Sequence, residues 1–167
     1  MAVSVKRESY PTRKREIQQR LTRLLPEWFG KDSANIHYAE LAGVLDGYVA
    51  EVDGIPRGLL LLKWVSPASA EIYWMGVEPA QHRHGIGRAL VDMAAKDARE
   101  SGRKYLTVAT LHPDVGYEPY QRTRRFYEGL GFELVLDEQF PADPGNPLAF
   151  YLKDLSPAVA SPVQGQK

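Results

Sequence analysis

Ala70-Glu-Ile-Tyr-Trp-Met-Gly-Val77 runs through Glu78-Pro-Ala and Gln81-His-Arg-His-Gly-Ile-Gly87 into Arg88-Ala-Leu-Val-Asp-Met-Ala94. The first run is rich in aromatic and branched residues and is bounded by Pro67 and Pro79, the pattern of a central strand. Beyond the glycines, Ile86, Ala89, Leu90, Met93, Ala94 and Ala98 mark one face of a helix that stops at Gly102. A strand that feeds a glycine-bearing turn into a helix leaves unpaired main-chain N–H groups at the positive helix end, which is an anion site. Gly85 and Gly87 let the backbone approach a phosphate, and His82, Arg83, His84 and Arg88 surround the turn with donors and positive charge. For so short a motif, glycines that serve sterics alone are the competing reading.

Downstream, Lys104 to Leu111 reads as the next strand, so the strand–helix–strand unit predicts a parallel pair joined by a right-handed crossover. A loop from His112 to Pro119 precedes a short helix over Tyr120 to Leu130, then strands over Phe132–Leu136 and Leu148–Leu152. Upstream, Asp53-Gly54 sits between two apolar runs as a hairpin turn. Val3 and Val5 suggest a first strand, and Ile17, Leu21, Leu24 and Leu25 predict an amphipathic helix from Thr12 to Pro26 whose basic outer face is solvated. Trp28 and Phe29 follow in a loop or in a short second helix reaching Ala42, as core plugs or pocket walls.

Length and composition narrow the function. The 167 residues suit one domain, expected over 1–155 with a loose tail over 156–167. Twenty-one basic residues balance twenty-one acidic ones, so there is no overall pull toward nucleic acid. Without cysteine there are no disulfides, thiolate metal sites or cysteine nucleophiles, and no metal is expected. The longest apolar run, Gly58 to Leu62, is far too short to span a membrane, and no signal pattern opens the chain; the expectation is a soluble cytoplasmic protein.

Three phosphate-binding schemes compete for the glycine turn. A dinucleotide fingerprint fails because Leu90 stands at its third glycine and Thr110 and His112 stand where its acid belongs. A P-loop fails because Arg88-Ala89 follows Gly87, with no hydroxyl for magnesium. The third scheme is a pyrophosphate cradle for coenzyme A, and the combination of residues around the turn supports it. Met75 to Leu90, followed by Thr123-Arg-Arg-Phe-Tyr-Glu-Gly-Leu-Gly-Phe132, resembles the GNAT superfamily of acetyl-coenzyme A-dependent N-acetyltransferases over roughly Tyr48 to Leu152. His82 departs from that family's Gln or Arg at the first cradle position.

The resemblance implies a single-domain mixed α/β fold. Its sheet would be central and mostly antiparallel, of six to seven strands, with a V-shaped splay between two parallel central strands and about four flanking helices. It implies an acetyl-coenzyme A cofactor held by Met75, Gly76, Val77, His82, Arg83, His84, Gly85, Ile86, Gly87, Arg88, Thr123, Arg125 and Phe126. It implies direct attack of an amine on the thioester, Tyr127 as the acid that protonates the leaving thiol, and a main-chain N–H near Met75 to Val77 that polarises the carbonyl. The expected base is Glu71, acting directly or through water, with His112 or a water chain as the alternatives. Arg122, Arg124 and Arg125 either reach the coenzyme's phosphates or form a solvated face. Trp28, Phe29, Tyr73, Tyr117, Glu118 and Tyr120, with Asp137 and Glu138 nearby, are the expected acceptor-binding residues. Aromatic walls beside carboxylates suit a small cationic amine, a polyamine or an aminoglycoside-type antibiotic. A protein or peptide N-acetyltransferase and a non-catalytic acyl-coenzyme A sensor are the alternatives, and a homodimer is admitted.

Overall fold

Asp53 and Gly54 both take positive φ, 51° and 80°, the backbone a two-residue hairpin turn requires. They join two strands in a computed structural model that describes residues 2–138 and 141–156; of the tail expected over 156–167, residues 157–167 lie outside those described. In chain order the elements are β1 (Val3–Glu8), α1 (Pro11–Leu24), α2 (Asp32–Ala42), β2 (Asp46–Val52), β3 (Ile55–Trp64), β4 (Ser69–Val77), α3 (Ile86–Glu100), β5 (Tyr105–Leu111), α4 (Glu118–Gly129), β6 (Glu133–Asp137) and β7 (Leu148–Asp154). They build one seven-stranded sheet in the order β1-β2-β3-β4-β5-β7-β6. Every neighbouring pair is antiparallel except β4 with β5.

The leucine run explains how the layers stack. Leu60 and Leu62 pack with α3 and with Tyr127 and Leu130, while Leu59 and Leu61 pack with Ile17 and Leu21 of α1. All four are fully buried. A strand covered on both faces reads as a continuous apolar run, not as an alternation, and burying each such side chain is worth about 1.5–3 kcal/mol.

Two irregularities in β4 create the site. Leu61 pairs with Trp74 and Leu62 with Ile72, so Tyr73 is an extra residue in the strand. Ile72 and Met75 therefore pack on the α3 face, whereas Tyr73 and Trp74 pack together on the α1–α2 face. The parallel ladder then joins β4 to β5 only over Ser69–Ile72 and Tyr105–Val108. Beyond it β5 stays paired with β7 as far as Leu111, and the rest of β4 diverges, which is the expected splay.

The basic face of α1 differs from expectation. Lys14 is buried with its ammonium donating to the Leu45 carbonyl, Arg13 bonds Glu51 at 2.7 Å, and Arg20 donates to the Pro56 carbonyl. These cations act as ties to the sheet because the strands beneath present carbonyls and carboxylates at the helix edge. Among the described residues no helix is long and apolar enough to cross a membrane.

Candidate active site

The turn after β4 is held open by its own backbone. Arg83 and Gly85 take φ of 65° and 78°, and Gly85 caps the start of α3. None of the main-chain N–H groups of Arg83 through Arg88 donates to an acceptor among the described residues. A Cβ on Gly87 would lie 3.0 Å from the Phe126 ring, so this glycine is needed where α3 and α4 press together. Five consecutive N–H donors beyond a left-handed residue, at a helix N-terminus, are what a pyrophosphate needs. The residues therefore fit the phosphates of coenzyme A.

His82 has another task than the expected phosphate contact. Its Nε2 donates to the Val77 carbonyl at 2.7 Å, fastening the turn to the end of the strand it leaves. Glu78 holds the opposite side, accepting from Arg57 at 2.8 Å and Arg20 at 3.3 Å. The Arg57 guanidinium, followed by that of Arg20, keeps the Glu78 carboxyl below the ordinary carboxylate range.

A cavity of about 800 Å³ runs from this turn through the splay. Its walls combine Ile72, Met75, Val77, Ile86, Phe126 and Tyr127 from the α3–α4 face with Leu25, Phe29, Tyr38, Tyr73 and Trp74 from the α1–α2 face. It thus passes from one side of the sheet to the other. Of the sequence-derived cofactor residues all line it except His84, which is exposed on the outside of the turn. Trp28, Phe29, Tyr73 and Tyr120 line it as expected, but Tyr117 and Glu118 face outward. Gly76, where a Cβ would lie 2.5 Å from Trp74, leaves room for that indole.

The segment after α1 is clipped onto α4. Trp28 donates its indole N–H to Thr123 Oγ1 at 3.1 Å, Tyr120 donates to the Trp28 carbonyl at 3.2 Å, and Tyr117 to the Glu27 carbonyl at 2.7 Å. The three arginines of α4 separate. Arg122 lies over the Trp28 ring at 5.4 Å, Arg124 is buried and donates to the Leu111 carbonyl at 2.7 Å, and exposed Arg125 lines the cavity near the glycine turn.

Among the titratable groups, Tyr127 is 4% exposed between the rings of Phe126 and Phe132, at 5.1 and 5.2 Å, and its hydroxyl has no partner among the described residues. Burial pushes its phenol well up, so it remains protonated. Burial also pushes the Tyr120 phenol up to about 12. Glu71 does not line the cavity; it lies on the α1–α2 face beside Tyr73, and burial raises its carboxyl against the opposing pull of Lys63. His112 is not at the site. Its Nε2 is engaged by Asp137, its Nδ1 accepts the Asp114 N–H at 3.1 Å, and it lines a separate cleft with Pro141 and Pro147. With both ring nitrogens occupied away from the cavity, it drops out as the base. Sequence reasoning missed Leu25, Tyr38, Trp74 and Gln81; only the bulge and the docking of α2 bring them to the wall.

The comparisons agree with this geometry. The sequence profile of the acetyltransferase (GNAT) domain matches residues 45–134. The chain is 33% identical over 118 residues to mycothiol acetyltransferase of Propionibacterium freudenreichii, a match that covers 68% of this chain and spans only 31% of that protein. It is 31% identical over 130 residues to the N-alpha-acetyltransferase RimI of Mycobacterium tuberculosis, covering 71% of this chain and 77% of the relative. A GNAT-family acetyltransferase structure from Desulfovibrio desulfuricans superposes with a TM-score of 0.80 at 22% identity, covering 93% of this chain and all of the other. With its cradle of free amides, its splayed parallel strands and these relatives, the chain belongs to the GNAT acetyltransferase family, whose members use acetyl-coenzyme A.

Proposed function

We propose that the protein transfers the acetyl group of acetyl-coenzyme A to the primary amine of a small molecule, with Tyr127 as general acid. The observation that carries this reading is one continuous cavity with free backbone donors at one end and an unpartnered, protonated phenol in its wall. Bound there, acetyl-coenzyme A supplies an activated acyl group and a thiol leaving group. The amides of Arg83 to Arg88 anchor the phosphates, and Arg83, Arg88 and Arg125 add charge around them. The free edge of β4 beyond Ile72 offers main-chain groups to an extended ligand arm, as an added strand does. Tyr127 holds a proton at Oη for the departing thiolate. Burial that makes the phenol a weaker acid also destabilises a thiolate in the same pocket, so the proton still has reason to move.

Glu71 is the base in this proposal, acting through an intervening water because it is set back from the wall. A raised carboxyl accepts a proton nearer neutrality than a solvated one. The test is thiol release from acetyl-coenzyme A in the presence of amines. Tyr127→Phe is expected to lower kcat about 100- to 10,000-fold with coenzyme A affinity unchanged; unchanged turnover removes the acid role. Coenzyme binding without release across a broad amine panel favours the acyl-coenzyme A sensor instead.

A further inference from the structure

We infer that the acceptor is a monoamine carried on an aromatic or large apolar body that also bears an oxygen acceptor, not a polycation; the inference deepens the acetyltransferase reading and rests on it. The wall on the α1–α2 face is a continuous set of rings. Phe29 stacks on Trp74 at 5.1 Å, meets Tyr38 edge-on at 6.2 Å, and Tyr38 meets Tyr73 at 5.9 Å. Among the described residues no aspartate or glutamate lines the cavity, whereas Arg83, Arg88, Arg122 and Arg125 do. With Arg83, Arg88 and Arg125 at the coenzyme's phosphates and Arg122 paired with Glu118 at 3.0 Å, the ring-lined part of the cavity presents no carboxylate, so the several ammonium groups of a polyamine or aminoglycoside would be desolvated there without a counter-charge. A single amine carries far less of that cost and loses its charge on acylation, while its ring packs against the aromatic wall.

Trp74 specifies the oxygen. It is 3% exposed, it borders the cavity, and its indole N–H is buried with no acceptor. A buried donor left unpaired costs about 1–3 kcal/mol, a cost that a carbonyl or hydroxyl of an acceptor packed beside the indole would remove. Trp74 is thereby a specificity-determining residue for the acceptor.

The test compares phenylalaninamide, a phenylalanine-initiated tetrapeptide, phenethylamine, spermidine and kanamycin as acceptors with the intact protein and acetyl-coenzyme A. Phenylalaninamide or the peptide is expected to exceed spermidine and kanamycin at least tenfold in kcat/KM, the two aromatic arms separating a free small molecule from a chain terminus as the source. Trp74→Phe keeps a ring and removes the N–H. It is expected to raise KM for phenylalaninamide about tenfold more than KM for phenethylamine, roughly the 1.4 kcal/mol of one lost hydrogen bond. Preference for spermidine or kanamycin, or an equal effect of Trp74→Phe on both aromatic amines, overturns the inference. If no amine releases thiol, calorimetry of the same probes against the coenzyme A-loaded protein still decides it. Aromatic binding then upholds the pocket while the enzymatic reading falls, and absence of aromatic binding overturns the pocket itself.

Discussion

At the scale of single residues, the site depends on what is missing from Gly87 and on what surrounds Tyr127. Gly87→Ala pushes a methyl group to 3.0 Å from the Phe126 ring, where α3 and α4 must part or the ring must turn. The expected outcome is a loss of about 1–3 kcal/mol in stability together with weaker coenzyme A binding, read by thermal melting and by calorimetry. Glu78 yields a pH-dependent prediction. Its folded-state value is depressed by Arg57 and Arg20, so the stabilisation is complete above the ordinary glutamate value of about 4.3 and disappears as pH falls through the depressed one. Glu78→Gln should therefore narrow the stability difference between neutral and acid solution, measured by urea melts at several pH values. The glycines and Tyr127 were legible in the sequence because their motifs are local. The work of His82 was not, since a ring nitrogen that bonds a carbonyl five residues back leaves no pattern in composition.

Among the elements, the strands and helices follow from periodicity and turn chemistry with boundaries shifted by a residue or two. The exception in kind is β4. An alternating strand would place Ile72 and Trp74 on one face, but the extra residue at Tyr73 sends them to opposite faces, and no local feature of Ile72-Tyr-Trp announces that. The segment around Trp28 was equally obscure: its partners Thr123 and Tyr120 lie more than ninety residues away along the chain. Trp28→Ala removes the indole bond to Thr123 and the ring under Arg122. It is expected to speed amide hydrogen exchange across residues 25–30 and to raise KM for the amine several-fold, with the global melting temperature changed by only a few degrees. Exchange rates equal to those of the parent protein would show that Tyr117 and Tyr120 suffice as fasteners.

On the scale of the whole molecule, the proposed reaction draws on both faces of the sheet, and its pH dependence would combine groups from both. As the proposed base, Glu71 must be ionised to take a proton, and burial has raised its carboxyl. The acidic limb of kcat/KM is therefore expected above the ordinary value of about 4.3, and Glu71→Gln should abolish it. As the proposed acid, Tyr127 must stay protonated, and burial has raised its phenol, so no alkaline decline from this group is expected below about pH 10. A decline near neutrality that persists in Tyr127→Phe belongs to another group.

The divergence of β4 from β5 has one more consequence. The cavity has walls from both faces of the sheet, so in the proposed reaction donor and acceptor can be held together, and the chain has no cysteine on which an acyl group could be stored in between. Initial-rate lines at several fixed donor concentrations are expected to intersect instead of running parallel, because both substrates must be present before any product forms.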